Sequence, residues 1–267
     1  MTFPELERLA HRLADVAAAA TLPQFRKDIA VDNKASGGFD PVTEADRAAE
    51  AAIRQTIETA YPEHGIVGEE FGDSRGGGHY EWVIDPIDGT RSFMSGVPLW
   101  TTIIGLRIDG VPRLGLVDQP YIGERFWGWG DSAWFADRWG ATKPIRTRSC
   151  PALSQATLMT TSPSLMRTAE EYERYRRVEQ VVRLFRYGAD AYAYCLLASG
   201  HIDLVVEANL KPYDIVALVP IIEAAGGTIT SWSGGSVNEG GNVVAAGDPA
   251  LHGEVLAMLG PSEAKEA

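Results

Sequence analysis

Two carboxylates three residues apart, Asp85 and Asp88, stand at the end of a short apolar run, Trp82-Val83-Ile84, and Gly89 and Thr90 follow at once. The apolar run reads as a buried strand. Pro86 fixes φ and removes a backbone donor, so the chain is expected to leave the strand in a set direction. Both acids can then converge beyond its end, with the Ile87 carbonyl free to join them. Gly89 has no Cβ, which lets bare N–H groups approach a ligand. Hard oxygen ligands beside exposed N–H donors suit a divalent cation that holds a phosphate. Taken alone, the same hexapeptide is an Asp-Gly turn between strands.

Other acids sit where chemistry could use them. Glu69 and Glu70 follow the short apolar run 65–68, Asp46 opens a helical stretch, and Asp214 precedes another. Each has an ordinary explanation: solvent-facing charge for the Glu pair, a first-turn acid favoured by the helix dipole for Asp46, an N-cap for Asp214. Thr90 alone is a turn hydroxyl bonded to its own backbone.

The elements that must position these groups can be read in order. Apolar positions at Leu6, Leu9, Leu13, Val16 and Ala20 predict a helix over 4–21. A second helix over 43–60 places Ala48, Ala49, Ala52, Ile53 and Ile57 inward, after a polar loop over 31–41 that contains Lys34 and Asp40. Strands are expected at 101–108, 111–117 and 125–129, the first two joined by Asp109-Gly110. Gly128-Trp129-Gly130-Asp131-Ser132-Ala133 matches a dinucleotide-loop pattern, but no helical pattern follows it, so it reads as a hairpin. From about residue 141 strands (156–161, 181–185, 202–206, 228–231, 243–245) alternate with helices (168–177, 191–199, 215–225). The fold class is α/β: an antiparallel first lobe over about 1–140 and a smaller α/β lobe over 141–267, together one domain.

Composition narrows the function. The 36 acidic and 24 basic residues leave a net charge of −12, which repels a nucleic acid; Glu170, Glu171, Glu173 and Glu179 break up the arginines of 167–186. An acidic protein can still bind a phosphate ester if cations reverse the local field. No apolar run is long enough to span a bilayer, and Glu5, Glu7, Arg8, His11, Arg12 and Asp15 interrupt any signal-peptide pattern, so a cytoplasmic location is expected. The two cysteines, Cys150 and Cys195, and the five scattered histidines show neither disulfide nor zinc spacing.

Four motifs in order resemble the inositol monophosphatase family of Mg²⁺-dependent phosphatases. They are Asp40-Pro41-Val42-Thr43 with Asp46, Gly68-Glu69-Glu70, Asp85-Pro86-Ile87-Asp88-Gly89-Thr90, and Pro212-Tyr213-Asp214 leading to Glu223-Ala224-Ala225-Gly226-Gly227. Tyr213 stands where the family usually has Trp. The resemblance implies a layered αβαβα sandwich and two or three Mg²⁺ ions per subunit. One ion would be held by Glu69, Asp85 and the Ile87 carbonyl, a second by Asp85, Asp88 and Asp214. A third, looser ion would sit near Glu69, Glu70 and Asp46. Phosphate would rest on the Gly89 and Thr90 amides, with Arg91 nearby. Thr90 and Asp46 would prepare a water for in-line attack, without a phosphoenzyme. The resemblance also implies a homodimer.

Within the family, Thr90-Arg91-Ser92-Phe93-Met94-Ser95-Gly96, Pro98-Leu99-Trp100, the run 187–194 and the run 200–207 look most like the histidinol-phosphatase branch. That substrate carries an ammonium and an imidazole, so its pocket should offer acids beyond the metal ligands. Asp190 and Glu207 are the candidates, against an N-cap role for Asp190 and polyol binding for Glu207. Lys34 is an outside candidate for closing over the metals. The competing readings are an inositol-1-phosphatase or broad sugar-phosphate hydrolase, a nucleotide-bisphosphate phosphatase, and a regulatory protein that has lost catalysis.

Overall fold

A computed structural model of the chain describes residues 1–27, 31–33, 41–74, 76 and 78–260. Lys34 and Asp40 lie outside the described residues. The first half comprises α1 (Phe3–Thr21), β1 (Val31–Asn33), β2 (Pro41–Thr43), α2 (Glu44–Ala60), β3 (Gly65–Gly68), β4 (Gly72–Ser74), β5 (Tyr80–Asp88) and α3 (Thr90–Met94). There follow the strands β6 (Thr101–Ile108), β7 (Val111–Gln119), β8 (Glu124–Trp129), β9 (Ser132–Ala136), β10 (Thr142–Pro144) and β11 (Thr157–Thr160). The remainder is α4 (Ala169–Glu179), β12 (Leu184–Tyr187), α5 (Asp190–Ala198), β13 (Leu204–Leu210), α6 (Pro212–Ile215), α7 (Leu218–Ala224), β14 (Thr228–Ser231), β15 (Gly241–Ala246) and α8 (Pro249–Leu259).

Two sheets separate three helical layers. The eight-stranded sheet runs β10-β9-β8-β7-β6-β5-β3-β4 and is antiparallel except between β3 and β5. One face packs Ile84, Ile104, Leu106 and Leu116 on the inner stripes of α1 and α2. The other face, with Ile103, Val117 and Phe126, meets α5, α6 and α7. Beyond them lies the five-stranded sheet, β12-β11-β13-β15-β14. Its central strands alternate: Met159, Val205, Val243 and Ala245 face the middle helices, while Leu158, Leu204, Val206 and Val244 face α4 and α8. Burial on both faces explains the run of apolar residues through the middle of β13 and β15. The expected layered αβαβα fold is present.

Several boundaries differ from expectation. The strand through Trp82 does not stop at Ile84 but runs to Asp88, with Pro86 accommodated at a bulge. The helix expected over 215–225 is two helices, because Pro220 cannot donate to the Val216 carbonyl and the helix restarts. The strand expected over 181–185 lies at Leu184–Tyr187, and Val182 instead packs against the outer core. The strand expected over 202–206 is Leu204–Leu210. On α2 the inner stripe is Ala45, Ala49, Ile53 and Ile57, joined by buried Asp46 and Glu50, whereas Ala48 is exposed. The turn at Asp109-Gly110 and the hairpin after Gly128 are as expected. No helix among the described residues is long and apolar enough to cross a membrane.

A row of glycines sets the depth of the middle helical layer. Gly105, Gly115 and Gly128 are register neighbours on β6, β7 and β8. A Cβ at Gly105 would lie 2.9 Å from Val216 and one at Gly128 2.9 Å from the Ile221 Cα; one at Gly115 would overlap the Ala217 carbonyl. The segment joining α6 to α7 therefore lies in a trench with no room for a methyl group, and Asp214 stands just before it. Gly115→Ala is expected to lower the melting temperature, since overpacking against backbone costs about 1–3 kcal/mol. An unchanged melting temperature would show that the trench can widen.

Candidate active site

The bulge in β5 accounts for the pairing of its two acids. Residues three apart on a regular strand point to opposite faces. Asp85 pairs with Ile103 and Asp88 with Thr101, so β5 carries one extra residue and both side chains turn to the same side. Carboxylate oxygens of Asp85, Asp88 and Asp214 lie within 4.8 Å of one another. Glu69 joins them because β3 runs parallel to β5 with Gly68 opposite Ile84, which sets the next residue beside Asp85, where burial and the Glu69 charge push the Asp85 carboxyl up.

Each acid is tied to backbone. The Ile87 amide donates to Asp85 at 3.0 Å. Asp88 accepts from the Ala191 amide at 2.7 Å and from Thr101 Oγ1 at 3.3 Å. Asp214 is not the cap of a long helix but the third residue of α6, and it accepts from the Lys211 amide at 2.6 Å. Asp46 is a first-turn acid, as its ordinary explanation required, and it also faces the cluster. It accepts from the Thr43 amide at 2.8 Å and from the Thr43 hydroxyl, and Thr90 Oγ1 lies 3.4 Å from its other oxygen. Thr90 Oγ1 is also 3.1 Å from the Ile87 carbonyl. Its single proton can serve one acceptor at a time, so donating to Asp46 frees that carbonyl. Gly89 caps α3 with φ 83°, a left-handed conformation that leaves the Thr90 end of the helix uncovered.

Crowding dominates the electrostatics. Burial pushes Asp85 and Asp88 well above the usual carboxylate range, and neighbouring acids push further: Glu69, Asp88 and Asp214 on Asp85, Asp190 and Asp214 on Asp88. Burial takes Asp214 up to about 7, against the Lys211 amide bond that favours its charged form. Asp46 is raised by burial more than its bonds to Thr43 lower it. Such a group of carboxylates holds protons or cations. Oxygen-only donors, with Asp88 and Asp214 half-buried, fit Mg²⁺ better than a soft or nitrogen-seeking metal.

The remaining candidates have distinct settings. Asp190 is the first residue of α5 rather than its cap, and Gly188, Ala189 and Asp190 all have positive φ (88°, 82°, 45°). Its Oδ2 would lie 3.1 Å from a Cβ at Gly89. Burial raises its carboxyl to about 7, with Glu207 adding and Arg91 opposing. Arg91 is exposed on α3. Glu207 is buried and turned into the protein: it accepts from the Thr161 amide at 2.8 Å, from the Thr161 hydroxyl, and from Tyr194 Oη at 3.2 Å. Glu70 is half-buried, and its amide donates to Glu50 at 2.7 Å. Sequence reasoning missed Glu50, Thr101 and Thr161 as partners of the site. A charged residue on the inner stripe of α2 was the available signal for Glu50. Cavity size does not locate the site: a cavity of about 470 Å³ beside Arg125 and Trp127 shares no lining residue with the carboxylates.

The inositol monophosphatase family model matches residues 4–263. The chain belongs to this family. Members of the family are Mg²⁺-dependent phosphatases in general, and the acidic cluster agrees with that chemistry. Among relatives, the chain is 45% identical to the bifunctional phosphatase IMPL2, chloroplastic, of Arabidopsis thaliana, over 96% of this chain and 76% of that protein. It is 38% identical to a histidinol-phosphatase of Mycobacterium tuberculosis, over 94% of this chain and 96% of the relative. A solved inositol monophosphatase from Zymomonas mobilis superposes with a TM-score of 0.85 at 44% identity, covering 97% and 99% of the two chains. The protein is thus an inositol monophosphatase-family phosphatase acting on phosphate esters.

The raised carboxyls make stability depend on pH in a direction opposite to that of an ordinary salt-bridged acid. Their folded pKa values exceed the unfolded ones, so the folded state binds more protons and loses stability as pH rises from the unfolded value toward the folded one. With Asp214 and Asp190 up to about 7, the EDTA-treated protein should melt several degrees lower at about pH 8 than at about pH 5, since one pKa unit corresponds to about 1.4 kcal/mol. Added Mg²⁺ should remove most of that slope. A melting temperature in EDTA that rises over this window would contradict the crowding.

Proposed function

We propose that the protein is an L-histidinol-phosphate phosphatase that uses two or three Mg²⁺ ions and direct in-line attack by water. The observation that carries the reading is the meeting of Asp85, Asp88 and Asp214 within 4.8 Å, with Glu69 set beside Asp85 by the strand register and the Thr90–Asp46 pair alongside. Glu69, Asp85 and the Ile87 carbonyl would hold one ion, and Asp85, Asp88 and Asp214 another; Glu69, with Glu70 and Asp46 near it, would serve a third. Bound there, Mg²⁺ would lower the pKa of water and neutralise phosphate and leaving-group oxygens.

The chain's own residues do the rest. The Gly89 and Thr90 amides bind phosphate oxygens in the space that the missing Cβ leaves. Thr90 Oγ1 orients the attacking water, and Asp46 takes its proton; a carboxylate with a raised pKa is a better base than an ordinary one. Asp190 and Glu207 lie on the Asp88 side of the cluster, both contributing negative charge felt there. They support a cationic alcohol as the leaving group, Asp190 by direct contact from the rim and Glu207 chiefly by its field, since its oxygens are occupied by Thr161 and Tyr194. Relatives named as histidinol-phosphatases at 34–38% identity support the same substrate. The second reading, an inositol monophosphatase, is favoured by the 44% identity to a structure bearing that name. The exposed edge strand β12, with Leu184, Phe185 and Tyr187, supports a homodimer.

Turnover of L-histidinol phosphate and myo-inositol 1-phosphate, measured side by side with Mg²⁺, tests the substrate. The histidinol ester is expected to have the higher kcat/KM, and the reverse order selects the second reading. Asp88→Asn should lose at least as much as removal of an outer-sphere partner, about 10–100-fold. Thr90→Ala should lower kcat about a hundredfold while leaving the Mg²⁺ requirement in place, because it misplaces water without removing charge. A large rise in that requirement would refute the role given to Thr90.

A further inference from the structure

α2 carries a second acid that stands apart from the carboxylate cluster and from solvent. Glu50 lies one turn after Asp46 and is fully buried. Its Oε2 accepts from the Glu70 amide at 2.7 Å, and its Oε1 accepts from the Phe71 amide at 3.1 Å and from Arg54 Nε at 2.8 Å. Arg54 continues the brace outward, donating to the Gly72 carbonyl and lying 3.4 Å from Ser74 Oγ. One buried carboxylate thus clamps two successive amides of the turn that leaves β3, and that turn begins with Glu69. Nothing else in this arrangement needs an acid at residue 50: its helix is already packed by Ala49, Ile53 and Ile57.

Gly68 gives an independent sign of the same device. A Cβ there would overlap the Glu50 carboxylate and lie 2.7 Å from an Arg54 nitrogen. The strand end is bare where the Glu50–Arg54 pair passes under it. Glu69, which the β3–β5 register sets beside Asp85, is the residue between Gly68 and the clamped amide of Glu70. A shift of the turn by a fraction of an ångström would therefore move the Glu69 carboxylate relative to Asp85.

We propose that Glu50, braced by Arg54, is a positioning residue: it fixes the 69–71 turn and thereby sets the affinity of the site for divalent cations, without touching cation or substrate. This rests on reading the carboxylate cluster as a cation site. Replacing Glu50 with Gln keeps the volume but turns an NH₂ group toward N–H donors, so the clamp opens on one side.

The test is a Mn²⁺ titration of the full-length, metal-free protein, with free Mn²⁺ followed by its EPR signal and no substrate present. Glu50→Gln is expected to weaken Mn²⁺ binding about tenfold and to raise the Mg²⁺ concentration for half-maximal turnover in proportion, with kcat at saturating Mg²⁺ within about threefold of wild type. Gly68→Ala, which displaces the same carboxylate without removing it, should show the same pattern. Ile53→Val, a core variant in the same helix, should lower the melting temperature without changing Mn²⁺ affinity. Equal Mn²⁺ affinity in wild type and Glu50→Gln, or an equal loss in Ile53→Val, overturns the proposal. Absence of Mn²⁺ binding by wild type would overturn the cation reading itself.

Discussion

Mutual repulsion among acids held at contact distance is the condition to which the rest of the structure is fitted. Two full charges about 4 Å apart repel by about 4 kcal/mol at an effective dielectric near 20. Several such pairs would rival the whole stability of an ordinary domain, about 5–15 kcal/mol. Asp85, Asp88 and Asp214 are therefore drawn toward the protonated state, and their surroundings bind them by backbone amides rather than by neutralising side chains. An amide donor fixes a carboxylate in place yet leaves most of its charge available to a cation.

The layers explain how the acids are kept from moving apart. Asp85 comes from β5 and Glu69 from the turn that leaves its parallel neighbour β3, Asp88 from beyond a bulge, and Asp214 from a short helix in the middle layer. The last would be the least constrained, were it not followed by backbone lying directly on Gly105 and Gly115. α2 serves from the opposite side of the sheet edge, with Asp46 directed to Thr90 and Glu50 to the turn after β3. A single helix thus orders two parts of the site one turn apart.

Much of this was legible in the sequence, and the parts that were not share a cause. The apolar periodicities of α1, α2 and β6–β8 reported local structure faithfully, because each of these elements buries one or both faces in a regular way. The motif residues Glu69, Asp85, Asp88 and Asp214 could be named because four motifs in order resemble one family; each acid alone has an ordinary structural explanation. The continuation of β5 past Pro86 was hidden: a proline normally argues against a central strand, and only pairing with β6 shows that a bulge absorbs it. The break between α6 and α7 and the shift of β12 likewise depend on tertiary partners. Glu50 was not read because its partners, the Glu70 and Phe71 amides, come from a distant turn; Glu207 was a named candidate, but its bonds to Thr161 and Tyr194 join three distant segments that only the fold brings together.

Gly188, Ala189 and Asp190 hold three left-handed conformations in succession at the rim of the site, two of them on residues that carry a Cβ. Such a backbone is strained and persists where its surroundings over-determine it; here the Ala191 amide is locked to Asp88 and Ala189 is buried. On the proposed function, the wall that would meet the leaving group is a fixed template and not a loop that reshapes itself around each guest. Discrimination between alcohols would then come from mismatch in outline and charge against a fixed mould, so a change of preferred ester would have to arise from new side chains on this rim more than from altered mobility.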